Sequence, residues 1–241
     1  MAARLSQPLQ AAGFTAVNLP LFTIQPLELD PTAKSQLLNL DNYAKVFVLS
    51  PSAAEIFIEE AENYWPQWPL GIQWFTVGKG SHDFLAKAGM QANYPPPATG
   101  DTSEALLQLA LLSWVEGEKI LLVKGEGGRD VLFNELTSRG GKVENLKLYK
   151  RQPAQLSPEQ LQQLLAPKYL ASIITSGEAL NIFYQHSQTF FAAQSFADKP
   201  SEHTNFLTSA KLLLPSQRLV EQAKNLGFSQ AINTNGAGAE A

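Results

Sequence analysis

Cysteine is absent from the chain, which excludes disulfide scaffolds, zinc–thiolate sites and cysteine nucleophiles. Histidine is scarce: His82, His186 and His203 are the whole set, and none is spaced as a metal pair on one helix face. No metal site is therefore expected. Charged residues make up only 17%, and acidic ones outnumber basic ones by 22 to 18, for a net charge of −4. A general nucleic-acid binder carries a basic surface, so that class is disfavoured. Long apolar runs are also missing; none approaches the roughly 18 residues that span a bilayer. The N-terminal MAARLSQPLQAAGF is amphipathic and has no secretory apolar core. These absences lead to the expectation of a cytoplasmic, soluble protein with neither membrane nor nucleic-acid partner. What is present is a globular composition, 44% hydrophobic over 241 residues, enough for one large or two small domains.

Five short apolar runs end in small residues and lead into helical patterns. KVFVLS (45–50) precedes PSAAEIFIEEA, IQWFTVG (72–78) precedes KGSHDFLAKAG, and KILLVK (119–124) precedes GEGGRDVLFNELTSRGG. LASIITS (170–176) precedes GEALNIFYQ, and KLLLPS (211–216) precedes QRLVEQAKNLGF. Continuous apolar runs followed by helical periodicity predict buried parallel strands in an α/β fold. Residues 194–208 are polar and poorly patterned and are expected to form a surface loop. The two remaining histidines, His186 and His203, are expected at the surface, and His82 in a first helical turn.

The chain also repeats itself. SPSAAEIF (50–57) aligns with SGEALNIF (176–183), and GKGSHDFLAKAG (78–89) aligns with SQRLVEQAKNLG (216–227). LSQPLQAAGFTAVNLPLFTIQP (5–26) aligns with LFNELTSRGGKVENLKLYKRQP (132–153). In the second copy the strand KILLVKG precedes the matched helix; in the first copy its counterpart would lie before Met1. One strand and its loop are therefore expected to be missing, and a flavodoxin-like strand order would make that strand central.

Ligands of open parallel sheets bind at the carboxyl ends of the strands, where helix N-termini offer free N–H groups and partial positive charge. The loops there are SPSA (Ser50, Ser52), GKGS (Gly78, Lys79, Ser81), GEGGRD (Gly125, Gly127, Arg129), TSGEA (Ser176, Gly177) and PSQR (Ser216, Arg218). Gly and Ser permit close approach and also cap helices, so each loop alone reads equally as capping. As a set the loops suit an anionic ligand. Lys79, Lys124, Arg129 and Arg218 are either partners for ligand carboxylates or solvated surface charges. Gly78-Lys79-Gly80-Ser81 lacks Walker spacing, and Asp130 stands where a dinucleotide fingerprint needs its third glycine, so no nucleotide cofactor is expected. No G-x-S-x-G elbow exists for a hydrolase. Tyr149, in the apolar and basic KLYKRQP, is either a phenol that donates a proton or hydrogen bond beside a cleft, or an aromatic packed at a hinge.

Taken together, SPSAAEIF, TVGKGS, KGEGGRDVL, the RGGKV–LYKR run, TSGEAL and PSQRLVEQAKNLGF resemble the uroporphyrinogen-III synthase family, in order and through nearly the whole chain. The resemblance implies two flavodoxin-like α/β lobes joined by a two-stranded antiparallel connector. Residues 1–24 and 155–241 would form a discontinuous lobe and 29–149 a continuous one, with connectors at about 19–28 and 146–154. It implies a cofactor-independent, metal-free lyase of heme and tetrapyrrole biosynthesis, monomeric and cytoplasmic. Such an enzyme cyclises the polycarboxylate hydroxymethylbilane with loss of water and inversion of ring D, through an azafulvene and a spiro intermediate. A transient contact with hydroxymethylbilane synthase is implied as well. By motif position Tyr149 corresponds to the family's tyrosine that assists departure of hydroxide. Ser176 and Gly177 correspond to a substrate-facing turn and Ser50 to its counterpart in the other lobe. Ser216 and Arg218 occupy a loop where some members have threonines, so Arg218 is expected to meet a substrate carboxylate instead. The family's N-terminal Thr-Arg-Pro loop is not in the chain, and a further helix is expected where it stops at NGAGAEA. The alternatives are a two-lobed binding module for small anions without chemistry and, if the upstream strand is absent in the cell, an inactive partner subunit.

Overall fold

The computed structural model describes residues 2–96, 99–165, 169–194 and 201–235. The chain divides into two compact units, Met1–Thr23 with Pro153–Ala241 (unit 1) and Ile24–Gln152 (unit 2). The strands are β1 (Phe22–Pro26), β2 (Lys45–Val48), β3 (Gln73–Thr76), β4 (Ala92–Asn93), β5 (Lys119–Gly125), β6 (Lys142–Pro153), β7 (Ser172–Ile173), β8 (Lys211–Leu214) and β9 (Gln230–Asn233). The α-helices are α1 (Ala2–Ala11), α2 (Pro31–Leu38), α3 (Pro51–Glu62), α4 (Lys79–Lys87), α5 (Ser103–Leu106), α6 (Val131–Ser138), α7 (Pro158–Leu164), α8 (Gly177–Gln194), α9 (Ser201–Ser209) and α10 (Gln217–Asn225).

Unit 2 is built on a six-stranded sheet in the order β1-β6-β5-β2-β3-β4. Strands β2 to β6 pair in parallel. β1 lies against the outer edge of β6 and runs the opposite way, with Leu27 N–H donating to the Leu148 carbonyl at 2.9 Å and Ala154 N–H to the Leu21 carbonyl at 2.9 Å. The apolar runs are continuous because both faces of this sheet are covered. Val46, Val48, Leu121, Val123, Leu146 and Leu148 pack on one side with Leu37, Leu40 and Phe57. Phe47, Ile120 and Leu122 face the other way, against Phe75, Leu106, Leu132 and Leu136. Each such fully buried side chain contributes about 1.5–3 kcal/mol by removal from water.

The strand order differs from the flavodoxin expectation. In chain order the five parallel strands lie 3-2-1-4-5, not 2-1-3-4-5. The chain leaves central β2 toward β3 and β4, then returns to the far side of β2 through β5. The direction of winding therefore reverses between β2 and β5, and the crevice at their carboxyl ends is where a ligand is expected.

Unit 1 holds a parallel sheet β7-β8-β9. Its core joins Leu180, Phe183, Leu212, Leu214, Leu219, Val220 and Phe228. The repeat is realised as β2-α3-β3-α4-β4 in unit 2 and β7-α8-β8-α10-β9 in unit 1. The matched glycines Gly89 and Gly227 follow their helices at φ +84° and +97°, a helix-terminating conformation that only glycine adopts without strain. In unit 2 the far side of β2 is paired with β5; among the described residues the matching side of β7 carries no strand.

The segment 194–208, expected as a loop, is a correction. α8 runs to Gln194, and Ser201–Ser209 form α9. A polar sequence conceals the anchor here: Leu207 is buried, and the Phe206 ring lies 6.0 Å from that of Phe183 and 6.3 Å from that of Phe228. The remaining residues, 195–200, lie outside the described set, as do 97–98 and 236–241.

His186 and His203 are likewise half-buried rather than exposed. His203 Nε2 lies 3.0 Å from the Ser187 hydroxyl, and its ring sits between Tyr184 and Phe191 at 5.8 and 5.5 Å. Burial lowers the pKa of His203 below 6.5; the same cause lowers His186, partly opposed by its hydrogen bond to the Ala154 backbone. Because the folded values lie below the unfolded one, the unfolded chain binds more protons on acidification. The thermal midpoint is thus expected to hold above pH 6.5 and to fall as pH drops below it. His203→Gln keeps a hydrogen-bonding group beside Ser187 and is expected to flatten that fall. Unchanged pH dependence in calorimetry of this variant would contradict the assignment.

Candidate functional site

The reversal point in unit 2 is furnished by three strand ends. β2 ends two residues before Ser50, β5 ends at Gly125, and neighbouring β6 carries Tyr149. Ser50 stops the strand and caps α3: its extended backbone (φ −156°, ψ 159°) lets Oγ accept from Ala53 N–H at 3.0 Å, and Pro51 starts the helix. The same oxygen lies 3.0 Å from the Tyr149 hydroxyl. The phenol is almost wholly buried, with 3% of the residue exposed. Its ring lies flat over Gly125: a Cβ there would meet two ring carbons at 2.5 Å and a third at 3.0 Å. The register slips between Lys124 and Gly125, so that Lys124 faces Lys147 but Gly125 faces Tyr149, which turns the ring inward.

The other predicted residues of unit 2 surround this centre unevenly. Ser52 is half-buried in the first turn of α3. Gly127 is exposed in the turn before α6. Ser81 is buried at 3% exposure and faces the interior. Gly78 caps α4, but its Cα faces the Asp101 carboxylate, whose carbon would lie 2.5 Å from a Cβ. The chain's own acid thus covers that turn. The three cations each meet a carboxylate: Lys79 with Asp83 at 2.7 Å, Lys124 with Asp130 at 3.1 Å, and Arg129 with Glu104 at 2.6 Å. Hydrogen bonds from Lys79 and then His82 hold the Asp83 carboxyl below the usual range. Glu104 is lowered first by its own backbone amide and next by Arg129. These acids were missed in the sequence. The signal was available for Asp83, one helical turn after Lys79, and for Asp130 at the mouth of α6, but not for Glu104.

In unit 1, Ser176 accepts from Ala179 N–H at 3.1 Å and Ser216 from Leu219 N–H at 3.4 Å, so both cap their helices. Gln222 ties α10 to the start of α8, donating to the Gly177 carbonyl at 3.1 Å and to Asn181 Oδ1 at 2.9 Å. A Cβ on Gly177 would meet Gln222 Oε1 at 2.7 Å. Arg218 is exposed and has no ion-pair partner among the described residues.

Two surface cavities have volumes of about 470 and 600 Å³; the second is lined by Glu104, the partner of Arg129, and by Val131 and Glu135 of α6. The first, at the amino ends of the strands, is lined by Gln36, Tyr43, Lys119 and Glu144. There Glu144 accepts from the Tyr43 hydroxyl at 2.7 Å and Gln36 Nε2 at 3.1 Å. Burial, with the Glu144 charge adding to it, pushes the Tyr43 phenol far up. Neither cavity is lined by a residue predicted for the site. Among the described residues no three His, Asp or Glu gather as a metal centre, and no helix is long and apolar enough to cross a membrane.

A family model described as "Uroporphyrinogen-III synthase HemD" matches residues 3–239. Among characterised relatives, the uroporphyrinogen-III synthase of Salmonella typhimurium is 28% identical over 222 residues, covering 91% of this chain and 85% of that protein. The Escherichia coli enzyme of the same name is 28% identical over 225 residues, with the same coverage of 91% and 85%. A crystal structure of a mutant uroporphyrinogen III synthase from Thermus thermophilus superposes with a TM-score of 0.54 at 17% identity, covering 95% of this chain and 87% of that one. That likeness establishes a shared fold.

Proposed function

The chain belongs to the uroporphyrinogen-III synthase family, enzymes of tetrapyrrole and heme biosynthesis, and from that premise we propose how its site works. It cyclises hydroxymethylbilane to uroporphyrinogen III as a lyase. The C–O bond of the terminal hydroxymethyl group breaks, and its electron pair leaves on oxygen. Tyr149 gives that oxygen its proton, so water departs and a protonated azafulvene remains; loss of its pyrrole N–H proton to water gives the azafulvene, and the phenolate takes a proton back from water. Ring closure through the spiro intermediate inverts ring D. The phenol acts as general acid, and the enzyme also steers conformation, because unassisted closure gives the uninverted isomer I. The observation that carries the assignment is the Tyr149 hydroxyl held 3.0 Å from Ser50 at the reversal point, its ring seated on Gly125.

Ser50, Ser52, Gly125 and Gly127 frame the approach to Tyr149 in unit 2, and Gly78, Lys79 and Ser81 stand at the N-terminus of α4. Lys79, Lys124 and Arg129 receive the substrate's carboxylates. The partners of Lys79 and Arg129 do not forbid this, since ion pairs exposed to water are worth about 0–1 kcal/mol and exchange readily. In unit 1 the donors are the turns of Ser176, Gly177 and Ser216, with Arg218. The same reading makes the protein a monomer that meets hydroxymethylbilane synthase only transiently.

The test is product analysis. Freshly generated hydroxymethylbilane is incubated with the protein and the oxidised porphyrins are separated. Isomer III well above the protein-free control is expected; isomer I alone would overturn the assignment.

A further inference from the structure

We infer that Ser50 is a positioning residue for the reaction: it orients the Tyr149 hydroxyl from the N-terminus of α3 so that the phenolic hydrogen points to the substrate. This rests on the reading of Tyr149 as the acid, and it replaces a direct substrate contact as the role of the Ser50 hydroxyl.

The argument is one of hydrogen-bond accounting. A serine hydroxyl has one hydrogen to give and two lone pairs. Ser50 Oγ already spends one lone pair on the Ala53 N–H at 3.0 Å. That bond fixes the oxygen, because α3 is a twelve-residue helix whose first turn needs the cap. The Ser50 hydrogen is free for the Tyr149 oxygen, 3.0 Å away, in a contact where either hydroxyl can donate. With Ser50 as donor, the phenol keeps its own hydrogen for the leaving hydroxyl. When the proton has moved, the same Ser50 O–H remains aimed at the phenolate oxygen. The partial positive charge of the helix N-terminus stands behind it and favours the negative charge that develops there. The ring cannot tilt away, because it lies on Gly125 without clearance and is almost wholly buried.

The sequence offers an independent sign. The internal repeat places Ser176 opposite Ser50, and Ser176 caps α8 in the same way, through Ala179 N–H at 3.1 Å. Yet Ser176 is exposed, and no tyrosine hydroxyl is bonded to it among the described residues. Capping alone therefore accounts for one serine and not for the other.

The experiment compares steady-state kinetics of the full chain with Ser50→Gly, Ser50→Thr and Tyr149→Phe, and with Ser50→Gly placed in the Tyr149→Phe background. Glycine is nearly as good an N-cap as serine, so Ser50→Gly deletes the hydroxyl with little harm to α3. The expected result is a fall in kcat of about 10-fold for Ser50→Gly, with KM within about twofold. Ser50→Thr, which restores a hydroxyl, recovers most of the rate. In the Tyr149→Phe background Ser50→Gly has no further effect. A rise in KM with kcat unchanged would overturn the inference in favour of substrate contact. So would an equal fall in kcat in both backgrounds while Tyr149→Phe itself is slow, which leaves the acid role standing. Full turnover by Tyr149→Phe would remove the acid role itself and this inference with it.

Discussion

Replacing Tyr149 with phenylalanine is expected to lower kcat by about 100-fold or more while KM stays within about twofold. General acids of this kind contribute on the order of 10²–10⁴ in rate, and the substitution removes the acid without changing the shape of the ring. The fold should tolerate it. The ring stays over Gly125 among Val48, Val123 and Leu148, and Ser50 keeps its bond to Ala53. The loss of the Ser50–Tyr149 bond costs about 1 kcal/mol of stability. The product ratio gives a second readout. Substrate that the slowed enzyme fails to capture closes unassisted, so isomer I rises as isomer III falls. The measurement is isomer-resolved initial rates over a range of substrate concentration. Wild-type kcat and an unchanged isomer ratio would show that Tyr149 is a packing residue and that positioning alone drives the reaction.

The elements that local chemistry dictates were legible in the sequence. The runs that became β2 and β5 carry buried apolar residues on both sides, that of β8 on one, and Ser50, Ser176 and Ser216 stand where helices need caps. What was not legible depends on pairing across distance. The order of strands is set by β5 inserting against β2, some 75 residues earlier in the chain, and no local periodicity encodes that choice. α9 was missed because two anchoring residues, Phe206 and Leu207, lie in a polar surrounding; packing on α8 and β9, not propensity, makes the helix. The site divides along the same line. Ser50, Gly125 and Tyr149 could each be named from the sequence, but not that they touch: Ser50 and Tyr149 are 99 residues apart. The cations were visible as charges, whereas their acids were not visible as partners, because an ion pair such as Arg129 with Glu104 depends on how α5 and α6 pack.

Gly125→Ala is expected to be as damaging as loss of the phenol, and for a reason that the glycine-rich loop conceals. Glycines in KGEGGRD invite comparison with loops that cradle phosphates, where glycine admits a ligand. Gly125 admits a tyrosine instead. Its backbone is not left-handed, so alanine is conformationally acceptable there, and the penalty is steric alone. The added methyl would lie 2.5 Å from two ring carbons of Tyr149, closer than any real contact, and the ring is buried with little room to retreat. Overpacking of this kind costs about 1–3 kcal/mol. The ring must rotate or slide, which carries its hydroxyl off Ser50 and out of line with the leaving group. Displacement of about 1 Å suffices for a loss on the order of 100-fold in turnover. The check is a double replacement. Gly125→Ala combined with Tyr149→Leu should recover stability relative to Gly125→Ala alone, since the smaller side chain vacates the clash, yet leave turnover low because no phenol remains. Wild-type kcat in Gly125→Ala would mean that the loop yields and that Tyr149 is not held by it.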